Sequence, residues 1–333
     1  MSFKRLDQED ISISAESVVG PLWSTGTVNL TEFHTGSQVS SNTGNYYYDV
    51  SEAVTTGVHS TQFSVAFGHK TGDGAVPYNA GASTKTPSST IYGQYRNLVL
   101  GSEDSEFTFG TVSSDHIYII NVDRARYKEK LFPGTFNLSL KYGAKTLELT
   151  DNSRSNTTIS FVDSGRVYEI ISGSNGVPYP PGGTGYTTSN GSYGKFLPDV
   201  GIIVLNGKAL DDATDGLNLN TYTAQDGGSS NLSKIFTAIN DGNSFSLQSE
   251  ETISSNYVFV RVRNGEFNYS TNPSIITGSG ELRYDVLVNQ PQAYMTTVGL
   301  YNDNNDLVAV AKLSRPLLKD FTKEALIRIK LDY

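Results

Sequence analysis

The sequence predicts a mainly β protein: antiparallel sheets in sandwich-like layers, with two or three short helices. Three observations carry this. Phe136, Leu138 and Leu140 alternate with Asn137, Ser139 and Lys141, and Leu147 and Leu149 alternate with Thr146, Glu148 and Thr150. A period of two sets one face on a core and the other in water. Short links such as Tyr142-Gly143-Ala144 and Ser164-Gly165 separate the runs, which implies an antiparallel meander across 135–171. Composition agrees. Charged residues make up 18%, below the roughly 25% of ordinary globular chains. There are 20 Tyr and 15 Phe among many Gly, Ser, Thr and Asn, a mixture that suits strands and turns. Half-buried sheets need another layer, hence the sandwich.

The elements follow in chain order. Residues 1–30 read as an N-terminal arm, with Ile11 and Ile13 alternating with Ser12 and Ser14 until Pro21 breaks the run. It is either an edge strand of the main sheet or a strand that docks on a neighbour. Residues 31–255 form a β-rich body. Within it, 62–67 alternate as a strand, and 88–101 read as a helix, with a Ser cap, Ile91, Tyr95, Leu98 and Val99 at helical spacing, and Gly101 as the stop. Residues 117–122 read as a buried strand, and 123–131 as a short charged helix or turn before Pro133-Gly134. After the meander, 172–194 is a long Gly-, Pro- and Tyr-rich loop that cannot pack a core of its own. A buried strand at 200–205 and a short helix at 232–240 complete the body's pattern, and an alternating strand at 257–263 leads into the last stretch. Residues 256–333 form a C-terminal antiparallel module. It has strands at 293–301 and 307–313 around the turn 302–306, a basic Pro-containing loop, then a strand at 324–332. No repeat of 20–50 residues recurs, which argues against solenoids and propellers.

Several function classes are disfavoured. A net charge of −9 lacks the basic surface that nucleic acid requires. Without cysteine there are no disulfides, thiolate metal sites or cysteine nucleophiles. The first ten residues lack the apolar stretch of a signal peptide, and the apolar run 200–205 is far short of the roughly 20 residues that span a bilayer. There is no Gly-x-Ser-x-Gly elbow, no paired-histidine metal motif and no Rossmann glycine pattern. The four His, at 34, 59, 69 and 116, sit in different segments and read as surface or core-edge residues. Gly68 to Gly74 lacks P-loop spacing and reads as a turn. Asp199, Asp211, Asp212 and Asp215 form the densest carboxylate cluster, but no spacing pairs them for glycoside cleavage. Asp211 with Asp212, or Asp303 with Asp306, could offer oxygen ligands to calcium, yet neither fits a twelve-residue calcium loop. The expectation is therefore no enzyme, no cofactor and no metal.

Some segments resemble a known family. They are FKRL at 3–6 with DISIS at 10–14, PSSTIYGQYR at 87–96, RARYKEKLFPG at 124–134, FLPDVG at 196–201, NPS at 272–274 and TTVGLYNDNNDLVAVAKL at 296–313. Together they are similar to virion structural proteins of contractile-tailed phages of marine bacteria and cyanobacteria. The resemblance implies a structural subunit of the tail, in the baseplate, assembled in the host cytoplasm. Its partners would be other virion tail proteins in a symmetric, multicopy assembly, with no direct nucleic-acid contact and no membrane insertion. A tail fibre or spike component that binds a receptor or carbohydrate, or a neck or head decoration protein, stands as the alternative. Subunits of this kind work through strand edges, aromatic loops and arms. The candidate contacts are Phe3, Leu6, Ile11 and Ile13 in the arm, and Tyr46, Tyr47 and Tyr48. Arg124, Arg126 and Lys128 join them, with a solvated, locally ion-paired helix face as the other reading. Tyr179, Tyr186 and Tyr193 belong to the long loop, and Arg315 and Lys319 to the C-terminal one.

Overall fold

A computed structural model describes residues 4–35, 47–52, 60–75, 86–156, 158–179, 188–221, 230–270 and 272–332. Phe3, Tyr46 and Tyr186 lie outside these ranges. In chain order the elements are β1 (Ile11–Pro21), β2 (Asn29–Leu30), β3 (His34–Thr35), β4 (Tyr47–Ser51), β5 (Thr61–His69) and α1 (Pro87–Leu100). Next come β6 (Phe107–Phe109), β7 (Val112–Ser114), β8 (His116–Val122), β9 (Lys130–Leu131), β10 (Asn137–Tyr142) and β11 (Lys145–Asp151). Then follow β12 (Ser160–Val162), β13 (Gly165–Ser174), β14 (Val177–Pro178), β15 (Gly194–Leu197), β16 (Ile202–Asn206), α2 (Gly207–Asp211) and α3 (Ser230–Gly242). Last are β17 (Ser244–Ser246), β18 (Gln248–Val262), α4 (Val286–Asn289), β19 (Ala293–Tyr301), β20 (Leu307–Lys319) and β21 (Ala325–Asp332). The protein is mainly β and antiparallel, as the alternation predicts. No described helix is long and apolar enough to cross a membrane.

The chain divides into two units, one of residues 18–251 and one of residues 1–17 with 252–333. These boundaries differ from those expected. The expected arm is shared, because Leu22, Trp23 and Leu30 belong to a buried core while Leu6 packs in another.

The larger unit is built on a 13-stranded sheet whose main path runs β2-β17-β10-β11-β13-β15-β16-β8-β5-β4-β3. Its central strands bury both faces. In β8, Tyr118, Ile120 and Val122 enter one core, and Ile117 and Ile119 enter the other. The first core forms because the sheet curls back on itself. Phe63 of β5 and Phe245 of β17 meet ring to ring at 5.3 Å. Trp23 packs against Phe245 at 5.0 Å, and its indole N–H donates to the carbonyls of Val28 (2.9 Å) and Phe245 (3.0 Å). The buried face of α3, with Ile235, Ala238 and Ile239, adds to this core.

The second core lies beneath α1 and the β6–β7 hairpin, through Ile91, Tyr92, Tyr95, Val99, Phe107 and Phe109. Pro87 at the first turn and Gly101 in the left-handed conformation (φ 62°) delimit α1. Gly68 lets the helix approach β5, since a Cβ there would lie 2.9 Å from the Tyr92 nitrogen. The meander is present as β10, β11 and β13, with β12 paired to β13. Residues 123–131 form a 3-10 turn, Arg124–Arg126, followed by β9.

The smaller unit has two layers. In one, β18 pairs with β21 from Ser255↔Asp332 to Val262↔Ala325, with β1 on its other side. In the other, β19 and β20 form a two-stranded sheet. Met295, Val298, Leu300, Ala311 and Leu313 of that hairpin pack on Val258, Ile327 and Ile329. The last strand, β21, pairs with β18. One expectation is corrected here. The basic loop is in fact the end of β20, because Leu317 and Lys319 continue the ladder opposite Met295 and Ala293.

Candidate functional site

Two of the four histidines converge, which their scattered positions in sequence hid. Neighbours β5 and β8 pair in the register His69↔His116. The imidazoles are buried and nearly parallel, with centroids 6.0 Å apart and an interplanar angle of 10°. Asp115 immediately precedes β8. On its other side β8 pairs with β16, which runs directly into α2 and so brings in Lys208 and Asp211. Gly207 lies at the start of this helix, directly against the His116 ring.

His116 is held at both nitrogens, Nδ1 by Asp115 Oδ1 at 2.8 Å and Nε2 by Asp211 Oδ2 at 3.2 Å. The other Asp211 oxygen accepts from the Thr221 amide (2.9 Å) and hydroxyl (2.7 Å). Lys208 Nζ lies 3.5 Å from Asp115 and donates to the Ser113 carbonyl at 3.1 Å. Thr71 meets His69 Nδ1 through its amide at 3.3 Å and its hydroxyl at 3.1 Å, and that hydroxyl donates to Asp73 at 3.0 Å. Burial alone would push the His116 pKa down, but the two carboxylates outweigh it and raise it to about 9. The bond from His116 holds the Asp115 carboxyl well below the usual range. Burial pushes His69 down. At neutral pH one ring is therefore an imidazolium and the other is neutral.

The other carboxylates read from the sequence are committed to local structure. Asp199 is bound by the Arg166 guanidinium at 2.6 Å. Asp212 Oδ1 accepts from the amides of Thr214 (2.8 Å) and Asp215 (3.0 Å). A cleft of about 420 Å³ opens between the β6–β7 turn, β13 and the bend around Gly191. Its carboxylate, Glu169, is engaged by Lys195 at 2.9 Å and by the Ser192 hydroxyl.

The candidate contact residues separate by burial. Ile11, Ile13, Tyr47 and Tyr179 are exposed, as are Arg124, Lys128 and Arg315. Leu6 is half-buried against the smaller unit's core. Tyr48 is buried, edge-on to Phe236, with its hydroxyl 3.3 Å from that of Ser233. Tyr193 is fully buried and donates to the Asp215 carbonyl at 2.6 Å, since the chain turns back into the sheet at Thr188–Gly191, before the Gly-rich stretch ends. Lys319 is fully buried at the end of β20, its ammonium bonded to Asn264 O (2.8 Å), Asn268 Oδ1 (2.7 Å) and Asp320 O (2.9 Å). Tyr48, Tyr193 and Lys319 are thus core residues and not surface contacts. The basic stretch is locally tied. Arg124 stacks 4.6 Å over Tyr127, Lys128 pairs with Glu251 at 2.8 Å, and Arg126 is half-buried.

One surface escaped the sequence reading. On the β19–β20 hairpin, Tyr294 (66%), Leu307 (53%), Val308 (68%) and Val310 (59%) are exposed. The signal was legible. A strand with one face in water should carry polar residues on that face, whereas 307–311 reads Leu-Val-Ala-Val-Ala.

No family model, curated protein or solved structure matches the chain.

Proposed function

We propose that the chain is a structural subunit of a contractile phage tail, a baseplate component that docks neighbouring tail proteins in a multicopy assembly. The observation that carries the docking role is the exposed apolar face of the β19–β20 hairpin. Its inner face packs on its own unit, while Tyr294, Leu307, Val308 and Val310 face solvent. Covering such a side chain contributes about 1.5–3 kcal/mol. Leu307, Val308 and Val310 lie together near the hairpin turn and Tyr294 at its other end, opposite Leu318, and exposed apolar groups on an open two-stranded sheet are a surface for association. The exposed Ile11 and Ile13 of β1, an end strand in the order β1-β18-β21, add a second edge. The tail and baseplate assignment is supported by the segments that resemble virion structural proteins.

The test is the protein content of purified particles and a cryo-EM map of the intact tail. The expected result is the chain in stoichiometric, symmetric copies with the hairpin at a subunit interface. Finding the protein in infected cells but never in purified virions overturns the proposal. Density in the neck, head or a fibre moves the subunit and overturns the baseplate assignment alone.

A further inference from the structure

We infer that His69, Asp115 and His116 form a binding site for one divalent transition-metal ion of the zinc class. The three residues offer ligand atoms that all lie within 4.8 Å of one another. Two imidazole nitrogens and one carboxylate oxygen are the donor set that zinc and its neighbours favour, while calcium and magnesium take oxygen ligands. Bonds of about 2.0–2.1 Å place tetrahedral ligands roughly 3.3 Å apart, so an inward shift of about 1 Å closes the site. Asp115 Oδ1 already lies 2.8 Å from His116 Nδ1, so the closing movement is between His69 and this pair.

The surroundings are arranged as a metal site requires. His116 Nε2 is directed at Asp211, which leaves Nδ1 beside Asp115 Oδ1 at 2.8 Å. A metal there would take over the position of that hydrogen bond. Asp211 is itself fixed by both donors of Thr221. This chain of carboxylate, imidazole and metal sets the ring's orientation and basicity. His69 is held differently, by Thr71: the Thr71 amide and hydroxyl both meet its Nδ1, and the hydroxyl donates to Asp73. Metal binding at Nε2 takes the tautomer in which Nδ1–H donates to the Thr71 hydroxyl. The remaining nitrogen, Nε2, makes no hydrogen bond among the described residues and is the position open to a ligand. Asp73, Asp115 and Asp211 gather around the two rings, and the Lys208 ammonium beside Asp115 rests on the Ser113 carbonyl. The exposed side of Asp115 leaves the fourth position to water.

The experiment is calorimetric titration of the metal-free chain with Zn2+, using Mg2+ as a control, beside the visible spectrum with Co2+. The expected result is one Zn2+ per chain, no Mg2+ binding, and cobalt bands of tetrahedral intensity. His69→Gln and Asp115→Asn should each weaken Zn2+ binding at least tenfold and abolish those bands. Asp211→Asn, which removes only the orienting carboxylate, should weaken it about 10–100-fold. His34→Gln should leave it unchanged. Asp115 is half-exposed, so Asp115→Asn serves if a variant of a buried histidine fails to fold. Absence of Zn2+ binding, or binding that survives Asp115→Asn in a folded chain, overturns the assignment.

Discussion

Gly207 leaves no room for a side chain against His116: a Cβ there would lie 2.0 Å from the imidazole Cδ2 and 2.9 Å from the His116 carbonyl oxygen. The glycine is required by this close approach, because the ring it would strike is fixed at both nitrogens and cannot swing away. Gly207→Ala is expected to cost about 1–3 kcal/mol, the usual penalty for forcing extra atoms into a packed site. Urea denaturation of the two proteins measures this, and an unchanged midpoint would show that α2 shifts freely.

The Arg166–Asp199 pair sets an acid limit on stability. Burial works against the Asp199 carboxylate, but the Arg166 guanidinium and amide outweigh it and lower its pKa. The folded pKa is therefore below the unfolded value of about 3.9. The contribution is complete above that pH and drains away as pH falls through the folded pKa. Asp199→Asn should cost about 1–3 kcal/mol at pH 7. Its deficit relative to the wild type should shrink below about pH 4. Paired denaturation curves across pH 3–7 test the sign, and a gap that widens in acid would refute it.

Lys319 uses its three donors on three acceptors, in a site with no exposure. Lys319→Ala would strip the Asn264 and Asp320 carbonyls and the Asn268 side chain of that partner at once. A loss of about 2–3 kcal/mol is expected. Hydrogen exchange should quicken around residues 264–268 and along β20. If exchange there is unaltered, the lysine is dispensable to its unit.

Removing the chain after Leu313 would delete β21 and with it Ile327 and Ile329, two of the three buried members of the smaller unit's core. It would also delete eight register pairs, from Ser255↔Asp332 to Val262↔Ala325. The expected product keeps a cooperative transition for residues 18–251 and loses protection in the remaining part of the smaller unit. A shortened chain that shows full protection at 252–262 would be incompatible with this sheet.

Val308→Ser with Val310→Ser tests the proposed docking face without touching a core. Both positions are exposed, so stability should change by no more than about 0.5 kcal/mol. Incorporation into particles should fall sharply while the soluble protein stays folded. Normal incorporation would remove the hairpin from the interface.

What could be read from sequence was local. The alternation from Phe136 to Thr150 and the spacing of Ile91, Tyr95 and Val99 each report on residues a few positions apart, so strands and helix were visible. The His69–His116 register was not, because it depends on which strands become neighbours in a sheet, and Asp211 joins that site from 95 positions beyond His116. The same limit hid the pairing of β21 with β18. Lys319 failed for a different reason. A lysine beside Pro316 reads as loop, and only the ladder opposite β19 and the acceptors around residue 264 make it a buried strand end.

The division of the chain bears on the order of synthesis. Strands β1 and β21 flank β18 in one sheet, yet they are translated about 300 residues apart, with nearly all of residues 18–251 between them. On a ribosome adding roughly 5–20 residues per second, the larger unit has emerged before the partner strand of β18 exists. The β19–β20 hairpin gains its apolar support, Ile327 and Ile329, only after that. In the proposed docking role, translation order works as a timer: the chain completes the support of its exposed apolar hairpin after its bulk has emerged, when premature association is least damaging.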